Sequence, residues 1–173
     1  MAPVEVAGVE TWAPVSYEGP ARALVGALKF RGAAGLATPM AAQIVAGAPP
    51  RFLNPAASLV PVPLLPSRAR RRGFNQAELL AVAVARRTGR EAADCLIRRG
   101  PGSTRQVGRG RAERLRGIAG SVALRTGTRC PSDVILVDDV VTTGATLSAG
   151  AQALREAGAG RVMALAYART PGR

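Results

Sequence analysis

The chain of 173 residues contains no histidine. This absence excludes Ser-His-Asp and Cys-His catalysis, acid–base chemistry by histidine, and zinc sites that use histidine ligands. The chain has two cysteines, Cys95 and Cys130, which are far apart in sequence and have no partner at metal-ligand spacing. We therefore expect two reduced thiols in a cytoplasmic protein.

Aromatic residues and lysine are also scarce. Aromatic residues make up 3% of the chain, whereas hydrophobic residues make up 47%. The core must therefore be built from valine, leucine, isoleucine and alanine, which favours buried parallel strands. Lys29 is the only lysine in an arginine-rich chain. Because this pattern is typical of GC-rich codon usage, a single arginine is weaker evidence of function than usual.

The chain also lacks long apolar segments. No run reaches the roughly 18 apolar residues of a membrane span, and the N-terminus lacks the basic and apolar regions of a signal peptide. Positive charge, in contrast, is in excess, with a formal net charge of +13. Such a surface attracts phosphorylated metabolites, nucleic acid or anionic lipid, although a solvated arginine-rich surface explains part of it.

The length fits one domain, and strands alternate with helices along most of it. Residues 1–19 show no clear period, so we interpret them as an irregular lead-in to a domain at residues 20–173. Helices are predicted at 20–31, 38–47, 74–87, 111–116 and 146–157, and strands at 57–62, 93–97, 121–124, 134–137 and 161–167. A basic loop is predicted at 63–73, and the last strand is expected to close the sheet. The alternation predicts an α/β fold, a doubly wound and mostly parallel sheet with flanking helices, whose ligands bind at the carboxyl ends of the strands.

An acidic pair follows one of these strands. Asp138 and Asp139 are the only adjacent acidic residues in the chain, and they come directly after the apolar residues 134–137. Two adjacent carboxylates at a strand end repel each other, so a structural role alone explains them poorly. We expect them to accept hydrogen bonds from a diol.

A threonine-rich turn comes next and opens a helix. It consists of Thr142, Thr143, Gly144, Ala145 and Thr146. A turn of this kind at a helix N-terminus offers backbone amides and hydroxyl groups to an anion. The turn and the acidic pair together complement a ribose 5-phosphate. The segment has neither a P-loop lysine nor the glycine spacing of a dinucleotide site. The alternative is purely structural: Asp138 caps a turn, Thr143 caps the helix and Gly144 permits the turn.

Residues 137–146 resemble the signature with which type I phosphoribosyltransferases bind phosphoribosyl pyrophosphate. From residue 17 to about residue 168, the chain is similar to the ComF (competence protein F, GntX-like) family. The matching stretches are residues 17–20, 28–32, 60–63, 72–76, 106, 112–114 and 137–146. The resemblance therefore implies a type I phosphoribosyltransferase fold with a flexible hood loop.

The resemblance also implies roles for individual residues. Asp138 and Asp139 would hold the ribose hydroxyls directly or through metal-bound water, with Mg²⁺ bridging to the pyrophosphate. Residues 142–146 would bind the 5-phosphate. Further candidates are Pro63, Arg68, Arg70, Arg71 and Arg72 near the pyrophosphate, Asn75 and Gln76 for substrate orientation, and Arg105, Gln106 and Arg114 in the hood loop. Asp138, Asp139, Arg105 and Arg114 are the candidate catalytic residues. Lys29 lies in a family motif, and a structural role is at least as well supported for it.

Three departures from the family pattern limit these expectations. Most family members begin with a four-cysteine zinc module, which this sequence lacks. The asparagine that family members usually carry near Gly117 is missing. The 6-oxopurine salvage enzymes carry an acid at the position of Thr142, so salvage of hypoxanthine or guanine is disfavoured.

The sequence therefore predicts a phosphoribosyltransferase-like protein that binds phosphoribosyl pyrophosphate with Mg²⁺, transfers the phosphoribosyl group and is linked by family to competence and DNA uptake. The alternative is a non-catalytic sensor of phosphoribosyl ligands or a factor that handles single-stranded DNA, with DNA-uptake proteins as partners. A plain nucleobase salvage enzyme ranks below both. The sequence does not decide whether the protein forms a homodimer.

Overall fold

The computed structural model describes residues 1–30, 33–99 and 121–171. Its strands are β1 (Val4–Val6), β2 (Val9–Trp12), β3 (Val15–Ser16), β4 (Ser58–Pro61), β5 (Leu96–Arg98), β6 (Val122–Leu124), β7 (Asp133–Val141) and β8 (Arg161–Arg169). Its α-helices are α1 (Gly19–Phe30), α2 (Ala37–Gly47), α3 (Pro66–Arg72), α4 (Gln76–Thr88) and α5 (Ala145–Glu156). Single 3₁₀ turns lie at Ala34–Leu36 and Pro50–Leu53.

Six strands form one mixed, mostly parallel sheet. Its order is β1-β2-β8-β7-β4, and β3 pairs with β8 beyond the end of β2. The pairs that involve β8, and the pair of β4 with β7, are parallel, whereas β1 and β2 form an antiparallel hairpin. β5 and β6 pair separately, in antiparallel fashion. The predicted α/β class and mostly parallel sheet are confirmed.

Helices cover both faces of this sheet. Successive side chains of a strand point to opposite faces, so each strand contributes to a core on either side. On one face, Val134 and Leu136 pack in a core that includes Leu147 and Leu154 of α5. On the other face, Ile135 and Val137 share a core with residues of α1, α2 and α4. Strands buried on both faces carry continuous apolar runs, which explains the apolar segment before the acidic pair.

The first 19 residues are not an irregular lead-in, and that prediction is wrong. They form β1, β2 and β3, which extend the main sheet. The strands of this segment are two to four residues long, too short to show a period in the sequence. Ala7 and Gly8 connect β1 to β2 with φ angles of 50° and 79°, the left-handed pair of a tight hairpin turn.

Other boundaries also differ from the prediction. β8 does not close the sheet but lies inside it, between β2 and β7. The predicted basic loop contains α3, which begins at Pro66, ends at Arg72 and is followed by Gly73 in a left-handed conformation. β7 continues through the acidic pair to Val141, because Asp138 still pairs with Ala166 of β8. The predicted helix at 111–116 lies outside the described residues.

Replacing Ala7 by glycine is expected to stabilise the protein by about 0.5–1 kcal/mol, because an L-residue pays a steric cost in the left-handed region. Ala7 is the only described non-glycine residue with positive φ. Urea unfolding of Ala7→Gly measures the gain. The exposed Ala56 provides the control, since Ala56→Gly relieves no such strain and should not stabilise. A destabilised Ala7→Gly would contradict the prediction.

Candidate functional site

The candidate site lies where β4 and β7 end at the same edge of the sheet. Pro61 pairs with Val137, so the residues that follow both strands lie side by side. Between them is a cavity of about 220 Å³. It is lined by Tyr17, Lys29, Val62, Pro63, Leu64, Arg68, Arg72, Asn75, Gln76, Arg98, Asp138, Asp139, Val140, Thr142 and Thr146. The cavity is therefore mostly polar, with acidic residues and arginines among its lining.

The acidic pair is held by the backbone and by Lys29. The Asp139 amide donates to Asp138 Oδ1 at 2.8 Å, and the Val140 amide donates to Asp139 Oδ1 at 2.9 Å. The other oxygen of Asp139, Oδ2, lies 2.6 Å from Lys29 Nζ. Asp139 is only 3% exposed. Its position is thus fixed by contacts at both oxygens.

Asp138 sits in a setting that opposes ionisation. Burial raises the pKa of its carboxyl group well above the ordinary value, and the charge of Asp139 raises this pKa further, whereas Lys29 lowers it. The charge of Asp139 thus disfavours a second charge on Asp138. Such a pair is stabilised by a ligand that supplies hydroxyl donors or a cation, and perturbed acids of this kind cluster at functional sites.

The threonine-rich turn lies beside the acidic pair. A second cavity, of about 40 Å³, is lined by residues 138 and 140–147. Gly144 precedes the first turn of α5 with φ 73°, and the Ala145 amide donates a long hydrogen bond of 3.4 Å to Oγ1 of Thr143. Because the first amides of a helix have no intrahelical acceptor, they point into the space before the helix. This small cavity has the donors and the position of an anion site.

The N-terminal hairpin packs directly against this turn. A Cβ atom built on Gly144 would lie 2.5 Å from Cγ1 of Val6 and 3.2 Å from Cβ of Ala7. Nη2 of Arg155, in the last turn of α5, donates to the carbonyl oxygen of Gly8 at 3.3 Å. The hairpin therefore braces the turn, and glycine is needed at residue 144 for both conformation and space.

Three arginines also line the 220 Å³ cavity: Arg68 and Arg72 of α3, and Arg98 at the end of β5. Arg68 and Arg72 are four residues apart and so share one face of the helix. Burial lowers the pKa of Arg98, and the charge of Arg68 lowers it further, whereas Asp138 raises it. Nε of Arg98 is buried and makes no hydrogen bond within the described part of the chain.

The structure gathers most of the residues that the sequence predicted. Of these predicted residues, the 220 Å³ cavity is lined by Pro63, Arg72, Asn75, Gln76, Asp138, Asp139, Thr142 and Thr146. The 40 Å³ cavity adds Thr143, Gly144 and Ala145. Arg70 and Arg71 are exposed and line neither cavity. Arg105, Gln106 and Arg114 lie outside the described residues.

Two predicted ligand residues already have partners in the protein. The Asn75 side chain accepts from the Ala77 amide at 3.1 Å and donates to the Val62 carbonyl at 3.0 Å, so it caps α4 and fixes the preceding loop. Gln76 accepts a hydrogen bond from Nη1 of Arg72 at 2.9 Å. Gln76 therefore orients an arginine of the cavity.

Sequence reasoning assigned no site role to Tyr17 or Lys29, which both line the cavity. Tyr17 directly follows β3, which pairs with β8. The Tyr17 amide continues this pairing by donating a hydrogen bond to the Arg169 carbonyl at 2.8 Å, and so Tyr17 is held beside the cavity. No local pattern indicates this contact. Lys29 did carry a signal, since it is the only lysine in the sequence.

Two larger grooves lie outside this arrangement. One, of about 810 Å³, runs between the start of α2 and α4 and shares only Asn75 with the candidate site. Another, of about 350 Å³, adjoins the site at Pro63, Leu64, Asn75 and Arg98. Neither groove contacts the acidic pair. We place the candidate site at the smaller cavities because the carboxylates, arginines and helix N-terminus converge there.

The acidic pair fits Mg²⁺ only as part of a shared site. Within the described residues, no group of three or more His, Cys, Asp or Glu side chains could hold a metal. Mg²⁺ commonly binds through one or two carboxylates together with substrate phosphates. The two adjacent carboxylates fit that role when a ligand brings phosphate oxygens.

None of the helices in the described ranges has the length and apolar character needed to cross a membrane.

Two curated proteins are similar to this chain. Competence protein ComFC of Streptococcus pneumoniae is 38% identical over 100 residues, which cover 58% of this chain and 42% of that protein. Competence protein F of Haemophilus influenzae is 32% identical over 114 residues, which cover 65% of this chain and 50% of that protein. The chain thus matches at most half the length of each relative. No protein-family model matches it. The two relatives confirm the resemblance to the ComF family.

Proposed function

From this kinship with ComF-type competence proteins, we propose that the chain has a type I phosphoribosyltransferase fold and binds phosphoribosyl pyrophosphate together with Mg²⁺. Its function is transfer of the phosphoribosyl group, in a role linked to competence. The supporting observation is the convergence of the acidic pair, the N-terminus of α5 and three arginines around two adjoining cavities.

Each part of the site suits one part of this ligand. The turn at residues 142–146 suits the 5-phosphate, because amides and hydroxyls converge there. Asp138 and Asp139 accept hydrogen bonds from the ribose hydroxyls. Arg68, Arg72 and Arg98 line the same cavity as the acidic pair and suit the pyrophosphate.

Transfer would form a bond between an acceptor nucleophile and the anomeric carbon while the bond from that carbon to pyrophosphate breaks, through an oxocarbenium-like transition state. The chain's residues hold the sugar at its phosphate and hydroxyls, and the arginines stabilise the negative charge that develops on the departing pyrophosphate. Bound Mg²⁺ would add further charge stabilisation at the pyrophosphate oxygens. Little proton transfer is required of the protein, so a site without histidine is adequate.

Calorimetric titration with phosphoribosyl pyrophosphate and Mg²⁺ tests the proposal. We expect micromolar binding, with weaker binding of ribose 5-phosphate because it lacks the group that the arginines hold. Absence of binding to folded protein would refute the proposal. Turnover is then tested by release of pyrophosphate in the presence of candidate nucleobases.

Arg98→Gln is expected to weaken binding of phosphoribosyl pyrophosphate about tenfold or more, since charge-assisted hydrogen bonds contribute about 1.5–3 kcal/mol. Binding of ribose 5-phosphate should not change, because Arg98 faces the pyrophosphate. Arg99→Gln provides the matched control, since Arg99 is exposed and does not line the cavity. Equal losses for both ligands would contradict the assignment of Arg98.

A second function, handling of single-stranded DNA, is favoured by the net charge of +13 and by the competence proteins among the relatives. Stacking of bases on aromatic side chains normally contributes to such binding. Trp12, Phe52 and Tyr167 are buried, so they are not available for stacking. A gel shift that weakens with salt would support this function, and absence of binding at low salt would exclude it.

A further inference from the structure

Lys29 reaches the candidate site from the last turn of α1. Its Nζ lies 2.6 Å from Asp139 Oδ2, and its side chain is 20% exposed while that of Asp139 is 4% exposed. The pair is therefore largely shielded from water and borders the 220 Å³ cavity. A cation at this place offsets charge that two adjacent carboxylates would otherwise leave uncompensated.

The choice of lysine is itself informative. Of 24 basic residues, Lys29 alone is not an arginine. Arginine presents a planar fork that engages both oxygens of a carboxylate, whereas the lysine ammonium is a compact point charge. Asp139 Oδ1 accepts a hydrogen bond from the Val140 amide, and the ammonium group of Lys29 contacts Oδ2.

We propose that Lys29 is a positioning residue that acts as a built-in counter-cation for the acidic pair, so that a ribose phosphate without pyrophosphate binds without metal. Magnesium is then required only when the ligand carries pyrophosphate. The inference rests on the proposed function, because it concerns the same acidic pair. It differs from the proposed function in concerning the cation that balances the acidic pair at the ribose end of the site.

The test is calorimetric binding of ribose 5-phosphate, once with a chelator and once with millimolar Mg²⁺, by wild type, Lys29→Met and Lys29→Arg. Wild type is expected to bind equally in both conditions. Without metal, Lys29→Met should lose about tenfold or more in affinity, since the uncompensated charge of the acidic pair then repels the anionic sugar phosphate, and Mg²⁺ should restore part of it. Lys29→Arg should rescue the metal-free binding only in part.

Each other outcome has a definite meaning. If Lys29→Met binds as wild type does, or loses affinity equally in both conditions, Lys29 is structural and the inference is overturned. If wild type binds ribose 5-phosphate only with Mg²⁺, the inference fails while the proposed function stands. If wild type binds neither ribose 5-phosphate nor phosphoribosyl pyrophosphate, both fail.

A second measurement needs no variant. Because Lys29 is the only lysine, an amine-acylating reagent modifies one side chain, and mass spectrometry separates that product from the modified N-terminus. Ribose 5-phosphate is expected to slow acylation of Lys29 in the presence of a chelator, whereas free ribose should not. Equal rates of acylation with and without the sugar phosphate would overturn the inference even if Lys29→Met fails to fold.

Discussion

The Asp138→Asn/Asp139→Asn double variant is expected to bind phosphoribosyl pyrophosphate at least about 100-fold more weakly than wild type. Each carboxylate contributes charge-assisted hydrogen bonds to the ribose hydroxyls or to metal-bound water, and each such bond contributes about 1.5–3 kcal/mol. The amides keep the shape of the pair but lose its charge. Calorimetry with Mg²⁺ measures the effect.

Glu91→Gln is the control for this variant, because it removes one negative charge from an exposed residue that does not line the cavity. Its affinity should equal that of wild type. Thermal melting shows whether the double variant is folded, which matters because Lys29 loses its partner. Wild-type affinity in a folded double variant would rule out the assigned role of the acidic pair.

Gly144→Ala is expected to destabilise the protein by about 2–5 kcal/mol and to weaken binding of the 5-phosphate by more than tenfold. The left-handed conformation costs an L-residue about 1–2 kcal/mol, and overpacking costs about 1–3 kcal/mol more. The new methyl group meets Val6 Cγ1 at 2.5 Å, so either the hairpin or the turn must move. Urea unfolding and calorimetry with ribose 5-phosphate measure the two effects.

Gly89→Ala separates the two causes. Gly89 has a φ of 66°, close to the 73° of Gly144, but a Cβ atom there meets nothing within 4 Å. We therefore expect Gly89→Ala to show the conformational cost alone, with ligand binding unchanged. If both variants lose the same stability and Gly144→Ala binds normally, the hairpin does not brace the turn.

The sequence predicted the parts of this fold that depend on long apolar patterns. The buried strand before the acidic pair, α4 and α5 are near their predicted positions because each buries a continuous or periodic apolar face. The strands of the first 16 residues could not be predicted, because their stability comes from pairing with each other and with β8, more than 140 positions away.

The candidate site was predictable to the extent that it is local. Asp138, Asp139 and residues 142–146 lie within one segment, and their chemistry is readable there. Lys29 and Tyr17 reach the same cavity from distant elements, so only the three-dimensional structure brings them to it. Whether Arg68 or Arg71 lines the cavity depends on which face of α3 each residue occupies. A predicted basic loop gives no such information, because it does not specify a helix.

The interior position of β8 constrains how the protein can be made. During translation, β2, β4 and β7 all leave the ribosome before the strand that joins β2 to β7. A truncated chain that ends before residue 161 therefore leaves the backbone of β7, the strand that carries the acidic pair, unpaired on the side that β8 covers. Exposed edges of apolar strands favour aggregation. A released chain that lacks β8 would thus be prone to aggregate through β7.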